Sequence, residues 1–216
     1  MIISHHVESF LDSRNYKDRY SSFDFCYSYF YNFYKNNTIP EIANNKNIEY
    51  SCLHIGFYLA SWGMMRGSSF LLQNSLGLLK DLIIEISKLD SHIWDIDVDN
   101  YTDENIDEIL RVYYLIKDIF TRNGYNASET LITKIMLGIF GNIPAFDRYF
   151  RKGMDVHSVN KTNLTRIYNF YLEHKEEINS FQVQCYDFLT ENNNSILYTK
   201  AKIIDMYGFN KGYKKL

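Results

Sequence analysis

An all-α fold is expected for this 216-residue chain, and three observations predict it. Apolar residues recur at spacings of three and four along most of the chain, the signature of amphipathic and buried helices. No stretch alternates apolar and polar residues as a half-buried strand would. Only two prolines and ten glycines interrupt the chain, too few breakers for a loop-rich β-sandwich. The length fits one large domain or two small interdigitated lobes. The expected architecture is a compact multi-helix bundle over residues 1–216, with lobes 1–124 and 125–216 and a cleft between them.

The elements follow in order. His5 and His6 are expected in a flexible terminus. Residues 20–34 place Tyr20, Phe23, Tyr27, Phe30, Tyr31 and Tyr34 on one broad aromatic face of a helix. Pro40 and the Asn-rich stretch 36–47 end it. Residues 48–64 read as a central buried helix carrying Leu53, Ile55, Phe57, Tyr58, Leu59, Ala60 and Trp62, broken by Gly63 and Gly67. Residues 75–89 form an amphipathic helix, and 95–105 an acidic loop. Thr102 stands at the start of a helix running through Ile106, Ile109, Leu110, Tyr113 and Ile116 to Phe120, with Gly124 as its stop. Ser128 opens the next, which Gly141 ends. An extended connector over 143–146 leads to a short helix over 147–152. One or two helices are expected over 162–189 and a last one over 196–207.

Composition narrows the class. The chain is 46% hydrophobic and 17% aromatic, enough for a sizeable core and far from a disordered composition. Mean hydropathy is −0.31 and no apolar run reaches transmembrane length, so no membrane partner is expected. The first residues lack a cationic stretch followed by an apolar one, so no signal peptide is expected. Cys26, Cys52 and Cys185 are dispersed and form no CxxC pair, which suits reduced core thiols in a cytoplasmic monomer rather than a disulfide framework or zinc site. Neither a metal nor a cofactor is implied.

The formal charge of −3 conceals an asymmetry. Residues 81–110 carry ten acids against Lys88. Residues 145–166 carry Arg148, Arg151, Lys152, Lys161 and Arg166 against Asp147 and Asp155, and residues 198–216 carry five lysines against Asp205. A localised anion-binding footprint is compatible with this distribution.

The most informative stretch is 131–152, LITKIMLGIFGNIPAFDRYFRK. It reads as a helix, a Phe140-Gly141 stop, a turn through Pro144, then Asp147 and a basic helix. This stretch resembles the corresponding part of the helix-hairpin-helix DNA glycosylases, in which a helix ending in Phe-Gly leads through a Pro into the catalytic Asp. The resemblance spans about 22 residues and implies that Asp147 is the catalytic carboxylate. It also implies double-stranded DNA as partner, with a flipped base. The Gly-rich hairpin of that family is absent, with Gly124-Tyr125-Asn126-Ala127-Ser128 in its place, so phosphate anchoring by the hairpin does not carry over. Lys134 precedes Asp147 by a shorter interval than the family's lyase lysine and lies mid-helix, so no lyase nucleophile carries over either. With the hairpin altered, a specialised role such as excising modified bases from phage DNA is within the family's range.

The chemistry suits these residue types. Base excision passes through an oxocarbenium-like sugar, which a nearby carboxylate stabilises while orienting a water. Arg148, Arg151, Lys152, Lys161, Lys211, Lys214 and Lys215 are the candidate DNA-backbone contacts. The bland alternative makes Asp147 a helix N-cap and nothing more.

A second stretch, 58–73, sets Trp62, Arg66, Ser68 and Ser69 inside an apolar segment, an inconsistency of the kind that marks functional sites. These four are the candidate base pocket. The alternative is a plain helix break with Arg66 in an internal salt bridge, Asp147 being one partner. Both stretches are also similar to segments of bacterial proteins of no assigned activity, which implies kinship and no chemistry. Two rival readings remain. One is a non-catalytic helical binding or regulatory module; the other is a ribonuclease of the HEPN class using Arg151 and His157. The glycosylase reading requires Asp147, Arg66 and Trp62 to share one cleft with basic residues at its rim.

Overall fold

A computed structural model describes residues 2–213. The expectation of an all-α fold holds: eleven α-helices and one short hairpin are found among the described residues. Helix α1 (Ile2–Leu11) is not a flexible terminus. Ile3, Val7 and Phe10 form its buried stripe, and His6 Nδ1 lies 3.0 Å from Asn210 Oδ1.

Helix α2 (Ser21–Lys35) carries the aromatic face, with Phe23, Tyr27 and Phe30 buried. After the Pro40 turn comes α3 (Ile48–Ser61). It buries Ile55, Tyr58 and Leu59 but leaves Tyr50, Leu53 and Phe57 exposed, so it is less central than its composition suggests. The helical stretch expected over 75–89 is split. A 3-10 turn, Leu76–Leu79, precedes α5 (Lys80–Ile86), and the short α4 (Phe70–Gln73) precedes both.

Helix α6 (Asp103–Arg122) starts on Thr102, whose hydroxyl accepts from Asn105 N. Helix α7 (Glu129–Phe140) is capped by Ser128 and stops at Gly141, whose φ of 69° is left-handed and costs glycine little. Every residue from Leu131 to Phe140 is buried; α7 runs through the core against α2, α3 and α6.

Helix α8 (Arg148–Met154) begins on Asp147 as expected. Then come α9 (Lys161–Glu173) and α10 (Lys175–Asn179). The helical reading over 162–189 fails after Asn179. Strands β1 (Gln184–Tyr186) and β2 (Asn193–Leu197) pair antiparallel around a turn in which Asp187 Oδ1 accepts from Leu189 N and Thr190 N. Buried Cys185 and Ile196 give the hairpin its inner face.

Helix α11 (Lys200–Tyr213) closes the fold across α8. The two backbones touch: a Cβ on Gly153 would overlap the Gly208 carbonyl, and one on Gly212 would overlap the Tyr149 carbonyl. Buried residues from both halves of the sequence form one core, so the expected lobes share their hydrophobic interior.

Candidate functional site

Asp147 reaches its place through a connector latched from two helices. Ala145 N donates to Asp205 Oδ1 at 3.0 Å. Phe146 N donates to Thr133 Oγ1 at 2.9 Å, and Thr130 Oγ1 donates to the Phe146 carbonyl at 2.9 Å. With both flanking peptides fixed by α7 and α11, little freedom remains to the residue that follows.

The Asp147 carboxylate has two distinct edges. Oδ1 accepts from Tyr149 N and Phe150 N, both at 2.9 Å, so the N-cap role is real. Oδ2 lies 3.5 Å from Lys134 Nζ. The Lys134 side chain is only 5% exposed and that of Asp147 15%. Burial pulls the Lys134 ammonium below the ordinary lysine range, an effect that Asp147 and Asp205 oppose.

Behind this pair lies another. Lys202 Nζ donates to Asp205 Oδ2 at 2.8 Å, both side chains being buried. Lys134 and Lys202 lie 5.1 and 5.3 Å from the Trp62 ring centroid, within cation–π range. Two buried cations are therefore balanced by two carboxylates and an aromatic face, which burial of charge demands.

In front of the pair opens a cleft of about 530 Å3 lined by Arg19, Trp62, Gly63, Met64, Arg66, Thr130, Lys134, Asp147, Arg148, Tyr149, Phe209 and Tyr213, together with Ala60 and Ser61. Asp147, Arg66 and Trp62 thus share one cleft with exposed arginines at its rim. The break after α3 makes this possible: Gly63 and Gly67 take φ of 74° and 57°, turning the chain so that Arg66 returns over Gly63. Phe209 and Tyr213 of α11 are parallel at 6.0 Å, with Tyr149 edge-on to both.

Several sequence expectations are corrected. Ser69 caps α4 through Leu71 N and donates to the Met64 carbonyl, while Ser68 is exposed; neither lines the cleft. Trp62 is no free stacking plate, since Phe10, Tyr20, Phe209, Arg19 and both lysines surround it. The carboxylate partner assigned to Arg66 is taken by Lys134 instead.

The proposed backbone contacts scatter. Arg151 pairs with Glu129 at 2.8 Å, and Lys161 with Asp107 at 3.1 Å and Asp103 at 3.5 Å. Lys211 Nζ lies 5.2 Å from the Tyr207 ring, and Lys152 is exposed; neither lines the cleft. Among the described residues of this group Arg148 alone does. Lys214 and Lys215 lie outside the described residues. Helix α8 ends between Arg151 and His157, with Asp155 left-handed, so no single helix presents the ribonuclease pair.

The cleft also holds residues that the sequence did not single out, Arg19, Thr130, Tyr149, Phe209 and Tyr213, and Lys134, which it set aside as a nucleophile. Lys134 was detectable as the one charged residue in an otherwise apolar helix run; Arg19, in a polar loop, carried no signal. Among the described residues no cluster of three His, Cys, Asp or Glu could hold a metal, and no helix is long and apolar enough to cross a membrane. Comparison with protein-family models, curated proteins and solved structures finds no match to the chain. Fold and site define a mostly α-helical protein with a cationic, aromatic-walled cleft over a buried Lys–Asp pair.

Proposed function

We propose that the protein is a DNA glycosylase-like enzyme that hydrolyses the N-glycosidic bond of a base extruded into this cleft. The observation that carries the reading is the convergence of Asp147, Trp62, Arg66 and Arg148 on one cavity. Its volume lies within the usual range for small-ligand sites and leaves room for a nucleoside. Asp147 lines this cavity, where a carboxylate would stabilise positive charge developing at C1′ and orient the attacking water. The aromatic rim of Tyr149, Phe209 and Tyr213 suits a base that has left its stack.

The test is abasic-site formation on a panel of damaged and modified duplex DNAs, comparing the wild type with Asp147→Asn. Base release by the wild type that falls at least a hundredfold in the variant, with its circular dichroism retained, supports the reading. Absence of release from every substrate overturns it and leaves a binding module.

The position of Lys134 favours a second course. Its amine, with a depressed pKa, sits beside the carboxylate. Addition of that amine at C1′ would expel the base with the bonding electron pair, one amine proton going to the base; cleavage of C1′–O4′, with the second amine proton passing to O4′, would then open the sugar and give an imine. Borohydride reduces an imine to a permanent amine link, so trapping of a protein–DNA adduct by the wild type and not by Lys134→Met selects this course; release without trapping selects hydrolysis.

A further inference from the structure

The chain has eight arginines, and their partners divide them sharply. Five make ion pairs: Arg14 with Asp24, Arg111 with Glu108, Arg122 with Asp118, Arg151 with Glu129 and Arg166 with Asp155. The three that pair with no carboxylate among the described residues are Arg19, Arg66 and Arg148, and all three line the same cleft. They come from three separate segments: the α1–α2 loop, the break after α3 and the first turn of α8.

Each is held by an aromatic ring or a turn rather than by an acid. Arg19 Cζ is 5.4 Å from the Tyr20 ring and 5.7 Å from that of Trp62. Arg148 Cζ is 4.4 Å from the Tyr149 ring, and its guanidinium donates to the Tyr149 hydroxyl. The guanidinium of Arg66 lies against Gly63. Stacking on a ring leaves much of the in-plane donor fork unused, and that fork matches the oxygens of a phosphate. The carboxylate that shares the cleft, Asp147, is already engaged by Lys134 and by two N–H groups of α8, so the field of the three exposed guanidiniums stays open to a polyanion.

We infer that Arg19, Arg66 and Arg148 form a three-point clamp on the backbone phosphates of a DNA strand, seating it across the cleft mouth so that one nucleotide enters toward Asp147. The clamp rests on the base-excision reading for the identity of the strand. It supplies the phosphate anchoring that the missing Gly-rich hairpin does not, and it moves Arg66 from the base pocket to the backbone.

The experiment is fluorescence anisotropy of a labelled duplex carrying a tetrahydrofuran abasic analogue, titrated with protein between 50 and 200 mM KCl. Each clamp phosphate contributes roughly 0.9 to the slope of log K against log salt. Each single Arg→Ala variant is expected to lower the slope by about 1, and the triple variant by about 3. Arg122→Ala, which removes a paired surface arginine, leaves it unchanged. A triple variant whose slope stays within about 0.5 of the wild type overturns the clamp, as does a wild type without salt-dependent binding. Tighter binding to an RNA of the same sequence overturns the assignment to DNA. Asp147→Asn is expected to keep the full slope. A clamp confirmed by these slopes alongside no base release therefore overturns only the excision reading, whereas base release with an unchanged slope in the triple variant overturns only the clamp.

Discussion

Lys134 Nζ and Asp147 Oδ2 lie 3.5 Å apart, but the two side chains are not equally buried or equally supported. Asp147 keeps two backbone N–H donors on its other oxygen and some contact with the cleft. Lys134 has almost none, and relies on Asp147 and the more distant Asp205. Loss of one partner is therefore asymmetric. Asp147→Asn is expected to cost about 3 kcal/mol, the penalty of an under-compensated buried charge together with a weakened cap. Lys134→Met is expected to cost about 1 kcal/mol, and the double variant less than the sum. Urea denaturation of the four proteins gives the cycle; additive losses would show that the pair is not coupled.

The same asymmetry has a pH signature. Burial already lowers Lys134, and removal of Asp147 lowers it further. A lysine whose folded pKa lies below its unfolded value gains stability as pH rises between the two. The Tm deficit of Asp147→Asn is expected to shrink as pH rises from 7 toward about 10, the ordinary lysine value. A constant deficit would show that removing Asp147 leaves the Lys134 pKa unchanged, and would refute the assignment.

Asp97 makes a prediction of the opposite sense. Its carboxylate accepts from Val98, Lys200 and Ala201 N, tying the start of α11 to the acidic loop. Burial nonetheless lifts its pKa to about 6, against these bonds and the Lys200 ammonium. The folded chain then holds a proton that the unfolded chain releases near pH 4. This stability is present below pH 4 and is lost as pH rises through about 6. The Tm of the wild type, measured relative to Asp97→Asn, is expected to fall across that window by the equivalent of at most about 3 kcal/mol. A flat difference would refute the assignment.

Much of this fold was legible because its punctuation is local. Thr102, Ser128, Asp147 and Gly141 act on their own backbone neighbours, so the sequence marks α6, α7 and α8 closely. The hairpin over 184–197 was not legible: its register depends on Asp24, which accepts from Tyr186 N and from the Tyr198 hydroxyl more than 160 positions away in sequence. Charge segregation misled in the same way. The basic and acidic stretches neutralise each other in space through Lys161 with Asp103 and Asp107, and Lys200 with Asp99. What survives at the cleft is a set of three arginines that pair with no carboxylate among the described residues, a property of the folded arrangement alone.

The crossing of α8 and α11 sets the position of Asp147, and its tolerance is small. Gly153 and Gly212 each meet partner backbone where a Cβ would sit, and backbone cannot swing aside as a side-chain tip can. Ala at either position must push the helices apart and open the core around Phe150 and Ile204. Gly153→Ala and Gly212→Ala are each expected to cost about 3 kcal/mol or more, the upper range for overpacking. At Gly124 a Cβ has open space and only the left-handed φ of 80° is strained, so Gly124→Ala is expected to cost about 1 kcal/mol.

Trp62 offers a direct reading of cleft occupancy. The chain has two tryptophans. Trp94 is buried against Tyr34 and Phe140, away from the cleft, so Trp94→Phe leaves Trp62 as the sole indole reporter. Its ring lies within 6 Å of Arg19, Lys134 and Lys202, so any ligand that draws on these cations alters its field. Emission of the Trp94→Phe protein is expected to shift on titration with the abasic duplex, saturating at the Kd found by anisotropy. The Trp62→Phe protein, which keeps Trp94, is expected to stay silent. A shift in Trp62→Phe with none in Trp94→Phe would place the DNA on a face other than this cleft, and the clamp and the excision reading would fall together.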